Sequence, residues 1–309
     1  MDWGTSSLRA YLFDADGCVQ ETRTRPWGIR QLPSGGFEAA LADVCAGWPD
    51  CTIVAAGMVG SRQGWREAPY VDVPADLGKI AGNLTPIRSA GGRGISIVPG
   101  VRDPAKPDVM RGEETQILGA LAQHPELATA GQLILPGTHS KWVDVRGGCI
   151  ASFSTMMTGE LYATLLDHSI LGVGASMAYT TDMHGDAFDD GVRAAHASGN
   201  AGALTKLFST RARVLESRMD TAAVPDYLSG LLIGEEWRSM LASGWLHAGR
   251  PPALVGDAAL CARYRRAAAL FDLALQPTIT AASARGLWRI LEAVRNSKPS
   301  DALLQPEQS

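Results

Sequence analysis

Two stretches of this chain set a glycine, a threonine and a serine in the same order at a turn between strands. Residues 2–17 read DWGTSSLRAYLFDADG and residues 135–148 read LPGTHSKWVDVRGG. At an offset of 133 positions, Gly4 meets Gly137, Thr5 meets Thr138 and Ser7 meets Ser140. Each copy then runs on as an alternating strand into a glycine turn. A Gly-Thr-x-Ser turn gathers backbone N–H groups and hydroxyls in a small concavity, which suits phosphate oxygens. Gly4, Thr5, Ser6 and Ser7 make one candidate cradle, and Gly137, Thr138, His139 and Ser140 the other. Two such hairpins facing each other across a cleft suit the phosphates of one nucleotide; the bland alternative is a pair of ordinary hairpin turns. Arg9 and Lys141 are candidate neutralising cations, or else solvated strand residues.

Asp2 opens the first copy. A carboxylate at a strand end beside a phosphate loop calls for a cation. Mg²⁺ fits, because it takes a carboxylate, waters and phosphate oxygens together. Met110-Arg111-Gly112-Glu113-Glu114-Thr115 lies where a loop becomes a helix. A carboxylate there can take a proton from a substrate hydroxyl or orient a water. It also suits the helix dipole as a plain acidic first turn. Residues 57–73 combine Gly57, Gly60 and Gly64 with Ser61, Arg62, Trp65 and Tyr70. An aromatic ring that packs on C–H faces and a guanidinium that takes a carboxylate would hold a polyhydroxylated acid. The competing reading is an Ω-loop pinned by its own aromatics. Before a further helix, the turn Met157-Thr158-Gly159-Glu160 offers Thr158 as a helix cap or a ligand contact.

These residues need elements to hold them. Leu8–Phe13 and residues 18–24 read as paired strands about an Asp-Ala-Asp-Gly turn. Residues 36–48 show helical periodicity. Short apolar strands follow at 52–56, 95–98, 132–135 and 253–255, the last entering Gly256-Asp257. Helices are expected from Glu113 to about Leu121 and at 159–170, 186–198, 202–217, 226–243, 258–270 and 283–295. Strands separated by helices predict an α/β fold. The duplicated hairpin predicts two domains, 1–130 and 131–296, with a polar, frayed tail over 297–309.

Composition narrows the functions. The chain has 309 residues, 46% hydrophobic and 19% charged, with a net charge of −4. That is ordinary globular material, and the basic footprint of a nucleic-acid binder is absent. No apolar run is long enough to span a membrane and no secretion signal opens the chain. Five cysteines without a CxxC pair and six scattered histidines argue against a disulfide framework or a zinc site. The expected compartment is the cytoplasm. GxxxxGK[ST], GxGxxG and GxSxG are all missing, so phosphate binding must come from the paired hairpins.

The chain resembles the 2-dehydro-3-deoxygalactonokinase family of the acetate kinase, sugar kinase, heat-shock protein 70 and actin superfamily. The matching stretches are Asp2-Trp3-Gly4-Thr5, Ala56-Gly57-Met58-Val59-Gly60-Ser61 and Met110-Arg111-Gly112-Glu113-Glu114-Thr115-Gln116. They continue with Pro136-Gly137-Thr138-His139-Ser140-Lys141, Met157-Thr158-Gly159-Glu160 and Leu228 to Glu235. The resemblance implies two ribonuclease-H-like, actin-like ATPase domains around a central cleft, with MgATP between them. The γ-phosphoryl group would pass to the 6-hydroxyl of the sugar acid 2-dehydro-3-deoxy-D-galactonate, in galactonate breakdown. It implies that Gly4–Ser7 and Gly137–Ser140 are the phosphate loops and that Gly256 and Asp257 lie near the adenosine. Exopolyphosphatases of the same superfamily have a glutamate at a similar helix start. Glu113 or Glu114 is therefore the preferred base, with Asp2 as the metal ligand and the remaining alternative. Gly60, Ser61, Arg62, Trp65, Tyr70, Arg111, Thr158 and Glu160 are the candidate substrate contacts. Two other functions fit the scaffold: a phosphatase or polyphosphatase, and a non-catalytic nucleotide-binding module. Family members have an apolar strand leading into Asp-Trp-Gly; here Met1 directly precedes Asp2, so the first strand is expected to be short. Ser7 stands where Asn is expected. The epimer preference and the oligomeric state, a homodimer among the options, are left open.

Overall fold

The computed structural model describes residues 1–175 and 184–297. The tail expected to fray lies, beyond Ser297, outside the described residues. By its contacts the chain forms two units. The first comprises Met1–Thr129, Arg146–Ser152 and Ala281–Ser309; the second comprises Ala130–Val145 and Phe153–Thr280.

The first unit opens with β1 (Asp2–Trp3), β2 (Leu8–Phe13) and β3 (Val19–Arg25), an antiparallel meander. In β2 the alternation of LRAYLF sends Leu8 and Ala10 inward, with no exposed surface, and Arg9 outward. Next come α1 (Gly36–Val44), β4 (Ile53–Ala55), β5 (Val71–Asp72), α2 (Leu77–Ala81), β6 (Thr85–Arg88) and β7 (Gly94–Ile97). The run ends with β8 (Val101–Asp103), β9 (Asp108–Met110), α3 (Glu113–Gln123) and α4 (Glu126–Ala130). β4 is parallel to β7, and its chain continues into a parallel bridge between Ala56 and Asp2. Three consecutive apolar residues, Ile53, Val54 and Ala55, suit a strand buried on both faces. Trp3, Leu8, Leu41, Val44, Ile53, Val59, Ile95 and Ile97 share one core.

The second unit holds β10 (Gly131–Leu135), β11 (Ser140–Arg146), α5 (Thr158–His168), α6 (Gly185–His196), α7 (Leu207–Leu215) and α8 (Val224–Ala242). β12 (Cys149–Met156), whose residues up to Ser152 are assigned to the first unit, precedes α5, and β13 (Ala253–Leu254) and α9 (Ala258–Ala269) complete the set. The sheet order is β12-β11-β10-β13, with β10 antiparallel to β11 and parallel to β13. Both units therefore build one plan: a hairpin whose first strand also takes a parallel neighbour. Ile134, Trp142, Phe188, Trp237, Leu254 and Tyr264 form the core here. α8 is apolar on nearly every face and is accordingly buried along most of its length.

The last helix, α10 (Ala282–Ser297), packs in the first unit, although the sequence reading assigned residues up to 296 to the C-terminal half. Two glycines set its contact with α3. A Cβ on Gly286 would lie 1.8 Å from the Thr115 carbonyl, and one on Gly119 would lie 1.9 Å from that of Ala282. The two helices thus meet backbone to backbone, which only glycine permits at both points.

Candidate active site

The first Gly-Thr-x-Ser turn joins β1 to β2. Gly4 N–H donates to the Ser7 carbonyl at 2.9 Å, while Ile29 and Arg30 donate to the carbonyls of Gly4 and Thr5. The turn is thus held from behind. Ser6, Ser7 and Arg9 remain exposed, and the half-buried Asp2 stands opposite Arg9 in the strand register.

Three backbone segments converge beside this turn. Gly57 has φ +93°, and a Cβ there would lie 2.8 Å from the Trp3 carbonyl oxygen. A Cβ on Gly112 would lie 3.3 Å from the Gly57 Cα. The end of β1, the start of the 57–73 loop and the residue before α3 are therefore stacked, which brings Asp2 and the acidic turn of α3 into one neighbourhood. The two glutamates then diverge. Glu113 is half-buried and accepts from Arg111 N–H at 3.0 Å. Glu114 is wholly buried, accepting from Gly112 N–H at 2.6 Å and from the Thr115 hydroxyl at 3.0 Å. Burial first, and then the neighbouring charge of Glu113, push the Glu114 carboxyl up to about 8.

The loop over 57–73 contains a 3₁₀ turn at Met58–Gly60. Trp65 stacks on Phe37 at 5.6 Å and meets Trp3 edge-on at 6.0 Å, so its ring anchors the loop to the core. Arg62 is exposed. Arg111 instead reaches into the loop. Its Nη2 donates to the Ala68 carbonyl at 2.7 Å, and its guanidinium lies 4.4 Å from the centre of the Tyr70 ring. Its Nε and Nη1, and the Ser61 hydroxyl, are buried without a partner.

The second turn sits in the other unit, between β10 and β11, and packs on the start of α5. Glu160 N–H donates to the Thr138 carbonyl at 3.0 Å, and a Cβ on Gly159 would lie 2.6 Å from the Gly137 carbonyl oxygen. A turn seated at the N-terminus of an eleven-residue helix lies in the positive field of that helix, which favours phosphate. His139 pairs with Glu160. The Gly256 turn lies close by, since a Cβ on Gly256 would be 3.9 Å from the Pro136 carbonyl. The Asp257 side chain caps α9, accepting from Leu260 N–H at 3.0 Å. Lys141 is buried, which excludes the solvated-strand reading for it.

Beneath this turn lies a polar network around Glu236, a residue the sequence did not single out. Trp142 Nε1 and the Tyr264 hydroxyl each donate to it at 2.7 Å, the Thr158 hydroxyl also donates to it, and Ser140 bonds Tyr264 at 2.7 Å. Thr158 therefore does not cap α5. Burial pushes the Glu236 carboxyl up, against the hydrogen bonds of Thr158, Tyr264, Trp142 and Ser140. The available signal was a second glutamate directly after Glu235 in a long, mostly apolar helix.

The structure thus gathers Asp2, Gly4–Ser7, Gly60, Ser61, Trp65, Tyr70 and Arg111–Glu114 in the first unit. It gathers Gly137–Lys141, Thr158, Glu160, Gly256 and Asp257 in the second. Among the described residues no cluster of three His, Cys, Asp or Glu suits a metal. Magnesium needs none, since one carboxylate with phosphate oxygens and waters suffices, and Asp2 beside the first turn fits that role. No described helix is long and apolar enough to cross a membrane.

Comparison with known proteins gives four findings. A family model for 2-keto-3-deoxy-galactonokinase matches residues 2–290. The 2-dehydro-3-deoxygalactonokinase of Escherichia coli (strain K12) is 38% identical over 271 residues, 86% of this chain and 87% of that one. Among solved structures, a candidate 2-dehydro-3-deoxygalactonokinase from Sinorhizobium meliloti superposes with a TM-score of 0.82 at 37% identity, covering 96% and 98% of the two chains. The activator of a Clostridium difficile 2-hydroxyisocaproyl-CoA dehydratase, solved with ADPNP, gives 0.51 at 11% identity over 98% of each chain. That last likeness is one of fold alone, and it agrees with ribonuclease-H-like α/β units.

Proposed function

We infer the reaction from one premise: this chain belongs to the 2-keto-3-deoxy-galactonokinase family. It is a phosphotransferase of the sugar-kinase kind, with ATP as donor. The finer reading is that it phosphorylates the 6-hydroxyl of 2-dehydro-3-deoxy-D-galactonate, as a cytoplasmic step of galactonate breakdown.

The observation that carries this reading is the stack of Trp3, Gly57 and Gly112. It supports the reading because Gly112, directly before Glu113, approaches Gly57, which in turn approaches Trp3, directly before the Gly4–Ser7 turn. Glu113 takes the proton of the acceptor hydroxyl as that oxygen bonds to the γ-phosphorus. The bond from the γ-phosphorus to the bridging oxygen breaks, and ADP leaves. Glu114 does not compete for this role: it has no exposed surface, and burial keeps it largely protonated at neutral pH. Most of the acceleration comes from positioning and charge neutralisation, as in phosphoryl transfer generally. The Gly4–Ser7 and Gly137–Ser140 turns hold phosphate oxygens with backbone N–H groups and hydroxyls. Gly256, whose N–H is bound to the Ile279 carbonyl, leaves a surface without a side chain for the nucleoside. Mg²⁺, when bound through Asp2, neutralises phosphate charge.

ADP formation from MgATP, measured with and without the sugar acid, tests the reading. Strong acceptor dependence is the expected result. ADP release that ignores the acceptor would make the protein a phosphatase. Nucleotide binding with no turnover would make it a non-catalytic module.

A further inference from the structure

We propose that Arg111, with the Ser61 hydroxyl, is the receptor for the carboxylate of the acceptor, a role the sequence spacing assigns to Arg62. This rests on the sugar-acid kinase reading above and names the residues that select an acid over a neutral sugar.

Arg111 carries a permanent positive charge. Its Nε and Nη1 are buried with no hydrogen-bond partner, and no ion pair among the described residues includes it. Buried charges in proteins are paired, because an unpaired one is costly in a low-dielectric setting. Two buried, unpartnered donors on a guanidinium suit an anion. The side chain is also aimed. The Ala68 carbonyl holds Nη2 and the Tyr70 ring supports the guanidinium plane, which fixes the direction of the remaining N–H groups. Gly60 lets Nη1 pack close against the loop backbone, since a Cβ there would sit 2.9 Å from Nη1 and 2.7 Å from Ile97 Cγ2. Ser61 follows directly and adds a second buried, unpartnered donor. Arg62 is exposed, where water screens a guanidinium and ion pairing is weak.

The anion is the acceptor's carboxylate and not a nucleotide phosphate. The Arg111 side chain reaches into the 57–70 loop, on Ala68 and Tyr70, rather than to the Gly4–Ser7 turn. Arg111 also sits two residues before Glu113, and its N–H binds that carboxylate. One rigid turn thus carries the anchor for one end of the substrate and the base for the other. A bound acid is then registered against the base by its own charge.

The test is calorimetric binding of the 2-oxo sugar acid and of its primary amide, without ATP, to wild type, Arg111→Lys, Ser61→Ala and Arg62→Ala. Thermal unfolding of each variant is recorded alongside. The wild type is expected to prefer the acid strongly. In R111K that preference should collapse by at least ~30-fold, since Lys keeps the charge but loses the fork. S61A should lose roughly fivefold for the acid and little for the amide, and this variant decides the matter if R111K fails to fold. R62A should bind both as the wild type does. The proposal is overturned if the wild type binds acid and amide alike, if R111K and S61A keep the preference, or if R62A alone loses it. Failure of the kinase reading looks different: acid binding that depends on Arg111, with no acceptor-dependent ADP formation.

Discussion

The backbone N–H of Gly112 donates to the carboxyl of Glu114 across 2.6 Å, inside a site with no exposed surface at Glu114. This bond closes the turn that starts α3. It also assigns unlike roles to two adjacent glutamates, because one is taken into the protein as the other is left at its edge.

Stability should carry the mark of Glu114. Its carboxyl titrates near 4.5 when unfolded and is pushed up to about 8 in the folded protein. Between these values the unfolded chain has lost a proton that the folded chain retains. The contribution is fully present below pH 4.5 and is lost as pH rises through 8. Glu114→Gln mimics the protonated form and keeps an acceptor for Gly112 N–H. Melting curves from pH 5 to 9 should show the variant declining less steeply than the wild type and exceeding it at pH 8 to 9.

Turnover should depend on Glu113. Glu113→Gln is expected to lower kcat by at least ~100-fold while leaving the KM for the sugar acid within about threefold. A coupled ADP assay measures both. A near-normal kcat would move the base to Asp2.

The seat of α3 on α10 is testable from far down the chain. A side chain at Gly286 points at the Thr115 carbonyl, where a Cβ would be only 1.8 Å away. Gly286→Ala should cost about 1–3 kcal/mol by overpacking, read from the urea midpoint. It should also lower kcat, since Thr115 follows the glutamates directly. Gly94→Ala, with no atom within 4 Å of the added carbon and no positive φ, controls for the loss of a glycine without overpacking.

Glu236 should matter without touching a ligand. Trp142, Thr158 and Tyr264 all donate to it. Glu236→Leu leaves Trp142 Nε1 and the Thr158 hydroxyl unpartnered, each costing about 1–3 kcal/mol, while Tyr264 keeps Ser140, so unfolding should shift markedly. Tyr264→Phe removes one donor and should be milder. It should raise the KM for ATP more than that for the sugar acid, because Ser140 loses its partner in the second turn.

The proposed binding of Mg²⁺ through Asp2 is testable by metal removal. Excess chelator should abolish turnover reversibly. Asp2→Asn should raise the magnesium concentration needed for half-maximal rate, read by titration at fixed ATP.

Much of the site was written locally. Gly4, Thr5 and Ser7, repeated at Gly137, Thr138 and Ser140, form tight turns whose chemistry depends on a few neighbouring residues. The helices of the second unit followed from apolar periodicity, and α8 was legible as a long helix. β12 was not, because CIASFSTM mixes apolar and polar residues without a clean alternation. β6, β8 and β9 were too short for a period to register. What no local pattern contains is burial. Glu113 and Glu114 are the same residue type side by side, and only the packing of α10 and the 57–73 loop around α3 decides which is enclosed. Arg62 and Arg111 differ in the same way: spacing favoured the one inside the glycine-rich loop, while the fold turned Arg111 into that loop and left Arg62 in water. Glu236 collects donors from β11, α5 and α9, elements far apart in the chain. Turn geometry is set by a residue's sequence neighbours; desolvation, and with it the charge state and partner of each ionisable group, is set by neighbours that only the tertiary structure supplies.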